Sequence, residues 1–364
     1  MSKAAPFRRN IKPSQRLEYG FYQFMDHFFG RDRVFKMFGK SRKRFYQRLT
    51  KTLKASGEGR IIPMERRSDL TREEFLNYYV KKGIPVIFDG AAKNWDCVKK
   101  WSLDYFKELH GDDEALMATQ ENMKNYEAST LRDVIENIQR GGGKYFRFYP
   151  LLDKHPEHIK DVDYKWLHEK INKFSFFDCF QVFIGGKNGG SFLHNANPPN
   201  LFIQIWGEKN WILYPQYYTM VIDPNPVRNI YRNAPNRKNG LPFDPFAPDY
   251  TPPYELYKYI DGYSADLKPG DILWNPPHYW HAIKNPTDAI GMGYRWAAPL
   301  YALKLTPFYM FLDMCAFHPP IWKYYKLLKK DSNLIHLAEA GELKNYMKEK
   351  AEKDQVLKTK PTPA

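Results

Sequence analysis

The chain has 364 residues, with 56 Lys+Arg against 41 Asp+Glu for a formal net charge of +15, and 43% hydrophobic and 16% aromatic residues. That apolar content excludes a disordered chain, and the length suits one core of ordinary size with additions. Cys97, Cys179 and Cys315 lie far apart, are odd in number and form no C-x-x-C pair, which argues against a disulfide framework or a zinc ribbon and for a reducing compartment.

The charge is concentrated at one end: residues 1–67 hold 18 Lys+Arg against 5 Asp+Glu, a net +13, and leave +2 for the other 297 residues. This arm lacks the apolar run of a secretory signal, and no stretch reaches the length of uncharged apolar residues that a spanning helix needs. A cytoplasmic protein, at most peripheral at a membrane surface, is the expectation. Within the arm, FYQFMDHFFGRDRVFKMFGKSRKRFYQRL spaces Phe and Tyr among Arg and Lys as an amphipathic helix pair broken near Gly30 and Gly39. Two readings stay open for it: a solvated basic helix held on the body by its aromatics, or a surface attracted to anionic lipid or nucleic acid.

From residue 68 the texture changes. LTREEFLNYYVKKG (70–83) predicts a helix capped by Thr71, with Glu74 three residues on, and stopped by Gly83. A short apolar strand follows at 84–91, then helices over 101–111 and 130–143, each ending in glycine. Beyond residue 176 the pattern becomes β, with strands over 176–186, 200–207, 210–215, 271–277 and 289–296 punctuated by Gly and Pro. The fold class predicted is mainly β with added helices, a sandwich or jelly-roll barrel. Residues 216–263 carry eight prolines and little periodicity, as a functional cover or linker does. From residue 300 to 364 the pattern is helical again, first aromatic-rich, then charged. Burial of the aromatic part in a homodimer interface and contact with a membrane surface are both compatible with it.

Two segments hold the candidate chemistry: GGSFLHNANPPNLFIQIWGEKNWILYP (189–215) and LKPGDILWNPPHYWHAIKN (267–285). Each sets a histidine, His194 or His281, at a strand edge among Gly, Pro and aromatics. A jelly roll can bring such strand ends together at its mouth, where two neutral imidazoles suit a shared iron, zinc or copper ion. His110, His155, His158 and His168 show no ligand spacing and read as surface residues.

The two segments, with GIPVIFDGAAKNWDCVKKWSLDYFKELHGD (83–112) ahead of them, resemble the Jumonji-C (JmjC) or cupin-like branch of the iron(II)- and 2-oxoglutarate-dependent oxygenases, similar to bacterial cupin-like proteins and to the asparaginyl hydroxylase that inhibits hypoxia-inducible factor. The resemblance covers about residues 68–298. It implies a double-stranded β-helix (jelly-roll, cupin) core over 68–299, with the helical arm 1–67 and the helical segment 300–364 as extensions. It implies iron(II), 2-oxoglutarate and O2 as cofactors and a small-molecule or peptide substrate. His194 matches the first histidine of the H-x-D/E motif and His281 the distal one. Lys209 stands where members hold the distal carboxylate of 2-oxoglutarate, Ser191 where a hydroxyl assists that lysine, and Asn200 at a polar position of the next strand. Arg295 is either a structural strand end or a further contact to the co-substrate.

One position departs from the pattern: the expected acidic ligand is Ala196. Three explanations compete. Radical halogenases of the wider superfamily carry Gly or Ala here, which opens a coordination site for chloride. Asn195, Asn197 or His278 could ligate instead. Or the barrel is a non-catalytic binding module that uses the basic arm. Arg228, Arg232, Arg237 and Lys238 in the Pro-rich cover hint at an anionic group on the substrate, or belong to a solvated loop.

Overall fold

A computed structural model describes residues 11–119, 127–142, 144–171, 175–225, 230–317, 320–328, 340–342 and 344–349. Two long helices open it, α1 (Pro13–Phe29) and α2 (Arg31–Ala55). Proline at the first position suits α1 because that N–H has no helical partner. Gly30 separates the helices at φ 83°, a value that costs a residue with a Cβ. The second predicted break is corrected: α2 runs through Gly39, because Val34, Phe45, Leu49 and Leu53 bury one continuous face and offset the propensity cost of about 1 kcal/mol.

The arm is packed on the body through charge as well as aromatics. Arg42 is 1% exposed, and its guanidinium reaches Asp26 at 2.8 Å and Asp223 at 3.2 Å. Arg31 binds the same two carboxylates, and Arg48 binds Glu18. Arg31 and Arg42 are therefore spent inside the fold, while most of the arm's other bases stay exposed.

The helix predicted over 70–83 starts where Thr71 accepts the Glu74 N–H. After one turn it widens into a π-helical stretch, Phe75–Val80, which buries Phe75, Tyr79 and Val80. Helices Leu103–His110 and Leu131–Gln139 follow, capped by Ser102 and Thr130.

Among the described residues the strands are β1 (Ile61–Pro63), β2 (Arg66–Arg67), β3 (Val86–Phe88), β4 (Glu114–Thr119), β5 (Glu127–Thr130), β6 (Lys144–Tyr149), β7 (Phe176–Gly185) and β8 (Gly190–Ala196). They continue with β9 (Asn200–Trp206), β10 (Lys209–Tyr214), β11 (Tyr231–Asn233), β12 (Gly262–Leu267), β13 (Ile272–Asn275), β14 (Trp280–Lys284) and β15 (Ala289–Ala297). One sheet has the order β1-β12-β10-β14-β8-β11, the other β2-β3-β13-β9-β15-β7-β6-β4-β5. From β7 to β15 the chain alternates between the two sheets at almost every step. The antiparallel quartets β12-β10-β14-β8 and β13-β9-β15-β7 thus form a jelly roll, the mainly β core with helical extensions.

Phe183, Phe202, Trp211, Leu213 and Leu273 fill the barrel. A larger cluster, including Phe75, Trp101, Val134, Trp274 and Trp296, packs the helices on its outer face. Among the described residues the Pro-rich stretch contains a short α-helix, Thr219–Ile222, two 3-10 turns, Gln216–Tyr218 and Tyr257–Tyr259, and the edge strand β11 before β12 begins. Helices Pro299–Leu305, Pro307–Met314 and Ile321–Leu328 follow the last strand, and the last of them packs on β7 and β15. The charged tail expected to be helical is helical over 344–349; residues 329–339, 343 and 350–364 lie outside the described residues. No helix of the described residues is long and apolar enough to cross a membrane.

Candidate functional site

His194 on β8 and His281 on β14 are direct partners in the strand register. Their rings lie 4.2 Å apart between centroids. Each ring is held by its own strand: His194 Nδ1 is 2.7 Å from the Phe192 carbonyl and His281 Nδ1 is 2.9 Å from the Tyr279 carbonyl. A carbonyl only accepts, so Nδ1 carries the proton in both rings, and in the neutral imidazole Nε2 becomes the ligating nitrogen. This is the tautomer that metal-bound histidines take when the other nitrogen donates to backbone. Trp211 stacks on His281 at 5.4 Å and fixes its plane.

Lys209 opens β10 and points into the same cavity. It is 1% exposed, and its Nζ donates to Asn285 Oδ1 at 2.8 Å; among the described residues no carboxylate pairs with it. Burial pushes its pKa down to about 7, since a low-dielectric surrounding disfavours the ammonium. A buried amine without a counter-ion is an acceptor site for an anion. Asn285, which the sequence reading missed, is itself held by donating to the Gly186 carbonyl. It is the last residue of the second segment and carried no other signal.

Around this pair lie polar atoms with no hydrogen-bond partner among the described residues: Ser191 Oγ, both amide atoms of Asn200, Arg295 Nε and Trp211 Nε1. Each such atom costs about 1–3 kcal/mol while unmet, so a cluster of them marks a place for a polar guest. The floor is made by Gly291 and Gly293, in phase with Arg295 on β15. A Cβ at 291 would sit 2.3 Å from the Phe202 ring, and one at 293 would sit 2.9 Å from Asn200 Oδ1. That Gly-x-Gly-x-Arg alternation was readable as an inward face and was overlooked. Phe183, Phe202 and Ile283 close the cavity to about 20 Å³, room for roughly one water.

Ala196 lies two residues along β8 from His194, on the same side of the strand. Among the described residues no group of three His, Cys, Asp or Glu side chains is arranged to hold a metal. The residues therefore fit a two-histidine centre and lack the third, acidic ligand.

The substitute ligands considered from sequence are corrected. Asn195 alternates to the other face of β8, away from the His194 side. Asn197 donates to Asp313 Oδ2 at 2.6 Å and accepts from Tyr325. His278, at φ 59°, has one nitrogen 2.6 Å from Thr306 Oγ1 and the other 2.8 Å from Asp313 Oδ2. These side chains clamp the Pro307–Met314 helix to the barrel. Burial alone would raise the Asp313 carboxyl, but Arg232, His278 and Asn197 outweigh it and hold it below the usual range.

That clamp also takes up Arg232, 2.7 Å from Asp313, and Arg237 is bound to Asp249. Both guanidiniums are thus engaged by carboxylates of the chain rather than by an anionic substrate group or by solvent alone; Lys238 is exposed, and Arg228 lies outside the described residues. A second correction concerns the distal histidines. His110 and His158 are buried, with Nε2 atoms 2.7 Å apart, and His155 stacks on His110 at 3.6 Å. Burial, then the neighbouring His155 and His158, push His110 down to about 4. Of these four, His168 is exposed, bonded to Tyr164, and His155 is half-buried.

Residues 71–299 match the family described as the cupin-like domain. The chain is 21% identical over 267 residues to the human bifunctional peptidase and (3S)-lysyl hydroxylase, covering 64% of this chain and 83% of that protein. It is 22% identical over 250 residues to a lysine-specific demethylase of Arabidopsis thaliana, covering 64% and 54%. It is 21% identical over 274 residues to the human tRNA wybutosine-synthesizing protein 5, covering 65% and 79%. The chain thus spans most of two of these relatives and about half of the third.

Proposed function

The chain belongs to the cupin-like JmjC family, and on that premise we propose that it is an iron(II)- and 2-oxoglutarate-dependent oxygenase that oxidises a C–H bond. The observation that carries the reading is the register pair His194/His281, with both Nδ1–H groups locked to backbone carbonyls, facing the same cavity as the buried Lys209, which has no carboxylate partner among the described residues. In this reading the two Nε2 atoms hold iron(II), and Lys209 in its ammonium form takes the far carboxylate of the diacid. When bound, metal and keto acid supply the oxidising chemistry, with O2 consumed and the diacid leaving as succinate and CO2.

The chain's own residues orient and seal. Ser191 Oγ, Trp211 Nε1 and the Arg295 guanidinium offer donors to carboxylate oxygens beside Lys209. Asn285 keeps the ammonium aimed into the barrel. Phe183, Phe202 and Ile283 exclude water once the guest is in, and they must turn aside to admit a five-carbon diacid into about 20 Å³. Relatives named for lysyl hydroxylation and lysine demethylation make a peptide side chain the first substrate class to test.

Ala196 divides this reading into two outcomes. An anion such as chloride beside its methyl group would replace the missing carboxylate charge and direct the reaction towards halogen transfer; a site that takes water there would hydroxylate. Chloride that tightens 2-oxoglutarate binding supports the first, and indifference to chloride supports the second. The small cavity and the absent acid favour one further reading, a non-catalytic jelly-roll binder. Anaerobic titration with iron(II) and 2-oxoglutarate separates them. The oxygenase reading expects the weak visible band of a metal–keto acid chelate in the wild type and its loss in His194→Ala. No band, and no succinate with any peptide offered, overturns it in favour of the binder.

A further inference from the structure

In α1, Leu17, Phe21, Phe24 and Phe28 recur at intervals of four, three and four residues, which places them on one helix face. A surface helix ordinarily turns such a stripe to the core. Here the opposite side is anchored instead: Tyr19 donates to Asp223 Oδ1, and the buried Asp26 pairs with Arg42. The apolar stripe is left towards solvent, with Leu17 79% and Phe21 46% exposed.

The neighbouring Pro307–Met314 helix extends this surface. Phe308 packs on Gly20, Phe311 stacks on Phe24 at 6.1 Å, and Phe311 and Met314 stay 44% and 56% exposed. Between the two helices runs an open apolar groove of about 660 Å³, lined by Leu17, Phe21, Phe24 and Phe308 among others. Clustered exposed apolar side chains of this size mark an interaction surface.

The exposed charges outside ion pairs on these two segments are of one sign. Along α1 and from Pro299 to Met314 the carboxylates are Glu18, bridged to Arg48, and Asp26 and Asp313, both buried in ion pairs. The exposed charges left are Lys12, Arg16 and Lys304. We propose that this face docks on a membrane surface with anionic headgroups. Leu17, Phe21, Phe311 and Met314 enter the acyl boundary, while Arg16 and Lys304 meet the headgroups. A nucleic acid fits less well, because Leu17 and Met314, the most exposed members, offer no ring on which a base can stack. A second copy would set two faces of the same positive sign against each other across a two-fold axis.

Co-sedimentation of the full chain with vesicles tests this. The chain should sediment with phosphatidylcholine vesicles containing roughly 30% phosphatidylserine at about 0.1 M salt and stay in solution with phosphatidylcholine alone. The triple variant Leu17→Ser, Phe21→Ser, Phe311→Ser should bind at least about tenfold more weakly. The double variant Arg16→Glu, Lys304→Glu should lose binding as well, which keeps the test open if the triple variant fails to fold. Wild-type protein that ignores the anionic vesicles overturns the proposal, as does a folded triple variant that binds like the wild type. A dimer in light scattering that the triple variant dissolves, with vesicle binding unchanged, would assign the face to a second copy. Binding of a single-stranded RNA in place of vesicles would assign it to nucleic acid.

Discussion

Replacing Lys209 by methionine probes the anion site at its base. In the wild type the amine is 1% exposed, bonded to a neutral amide and pushed down to about 7, so above neutral pH the empty barrel holds it uncharged. A carboxylate seated against it requires the ammonium, and binding then takes up a proton. With a pKa of about 7 when empty and a much higher one when loaded, affinity for 2-oxoglutarate falls about tenfold per pH unit above 7. That is about fiftyfold, or roughly 2.3 kcal/mol, between pH 7 and pH 9. Stability moves the other way. The folded pKa is depressed below the unfolded value of about 10.4, so the unfolded chain binds more protons between these limits. Stability therefore rises with pH from about 7 to about 10.4 and is insensitive to this group below about 7. Lys209→Met removes the buried amine with little change of volume, so it should raise the thermal midpoint at neutral pH while abolishing both the binding and its pH slope. Anaerobic calorimetry with iron(II) and 2-oxoglutarate, in two buffers of different ionisation enthalpy, reads affinity and proton uptake together. Wild-type affinity that stays flat from about pH 6 to about pH 9, or a methionine variant that keeps the slope, refutes the reasoning.

Ala196→Asp restores an acid beside the histidine pair. It should tighten iron(II) at least about tenfold in anaerobic calorimetry, through the added hard oxygen ligand, and remove any response to chloride. Asp313→Ala strips the shared partner from Arg232 and His278, leaving a buried cation unmet, and should cost about 3–5 kcal/mol in urea unfolding, with loosening of the Pro307–Met314 helix. His110, pushed down to about 4 by burial and by its two histidine neighbours, binds fewer protons folded than unfolded between about pH 4 and about pH 6.5. Stability should fall by about 2–3 kcal/mol as pH drops through that window, and His110→Phe should flatten this acid limb of the melting curve.

Five strands of the core, β7, β9, β10, β13 and β15, were legible because each is an apolar run closed by Gly or Pro, whereas β8, β12 and β14, broken by polar residues and histidines, were not read as strands. The flanks of His194 and His281 drew the eye to two residues that the sheet then sets side by side. What stayed hidden depends on partners distant in sequence. Arg42 reads as one more solvated base in a basic arm, yet its counter-ion Asp223 lies 181 residues on, beside the Pro-rich cover. His155 and His158 look like surface residues until His110, 45 or more positions earlier, is folded between them. His278 sits three residues before His281 in a matching context, but its left-handed backbone turns the ring away from the pair and towards Asp313, which no local pattern announces. Gly39 failed as a helix break for the same reason: a long buried face outweighs a local propensity.

The central claim is that His194 and His281 together hold iron(II) with no acidic protein ligand. Crystals grown anaerobically with iron(II) and measured at the iron absorption edge test it most directly. One anomalous peak is expected, in bonding distance of both Nε2 atoms, with a non-protein ligand in the space beside Ala196. A peak elsewhere, or none at the histidine pair in protein that has taken up 2-oxoglutarate, contradicts it.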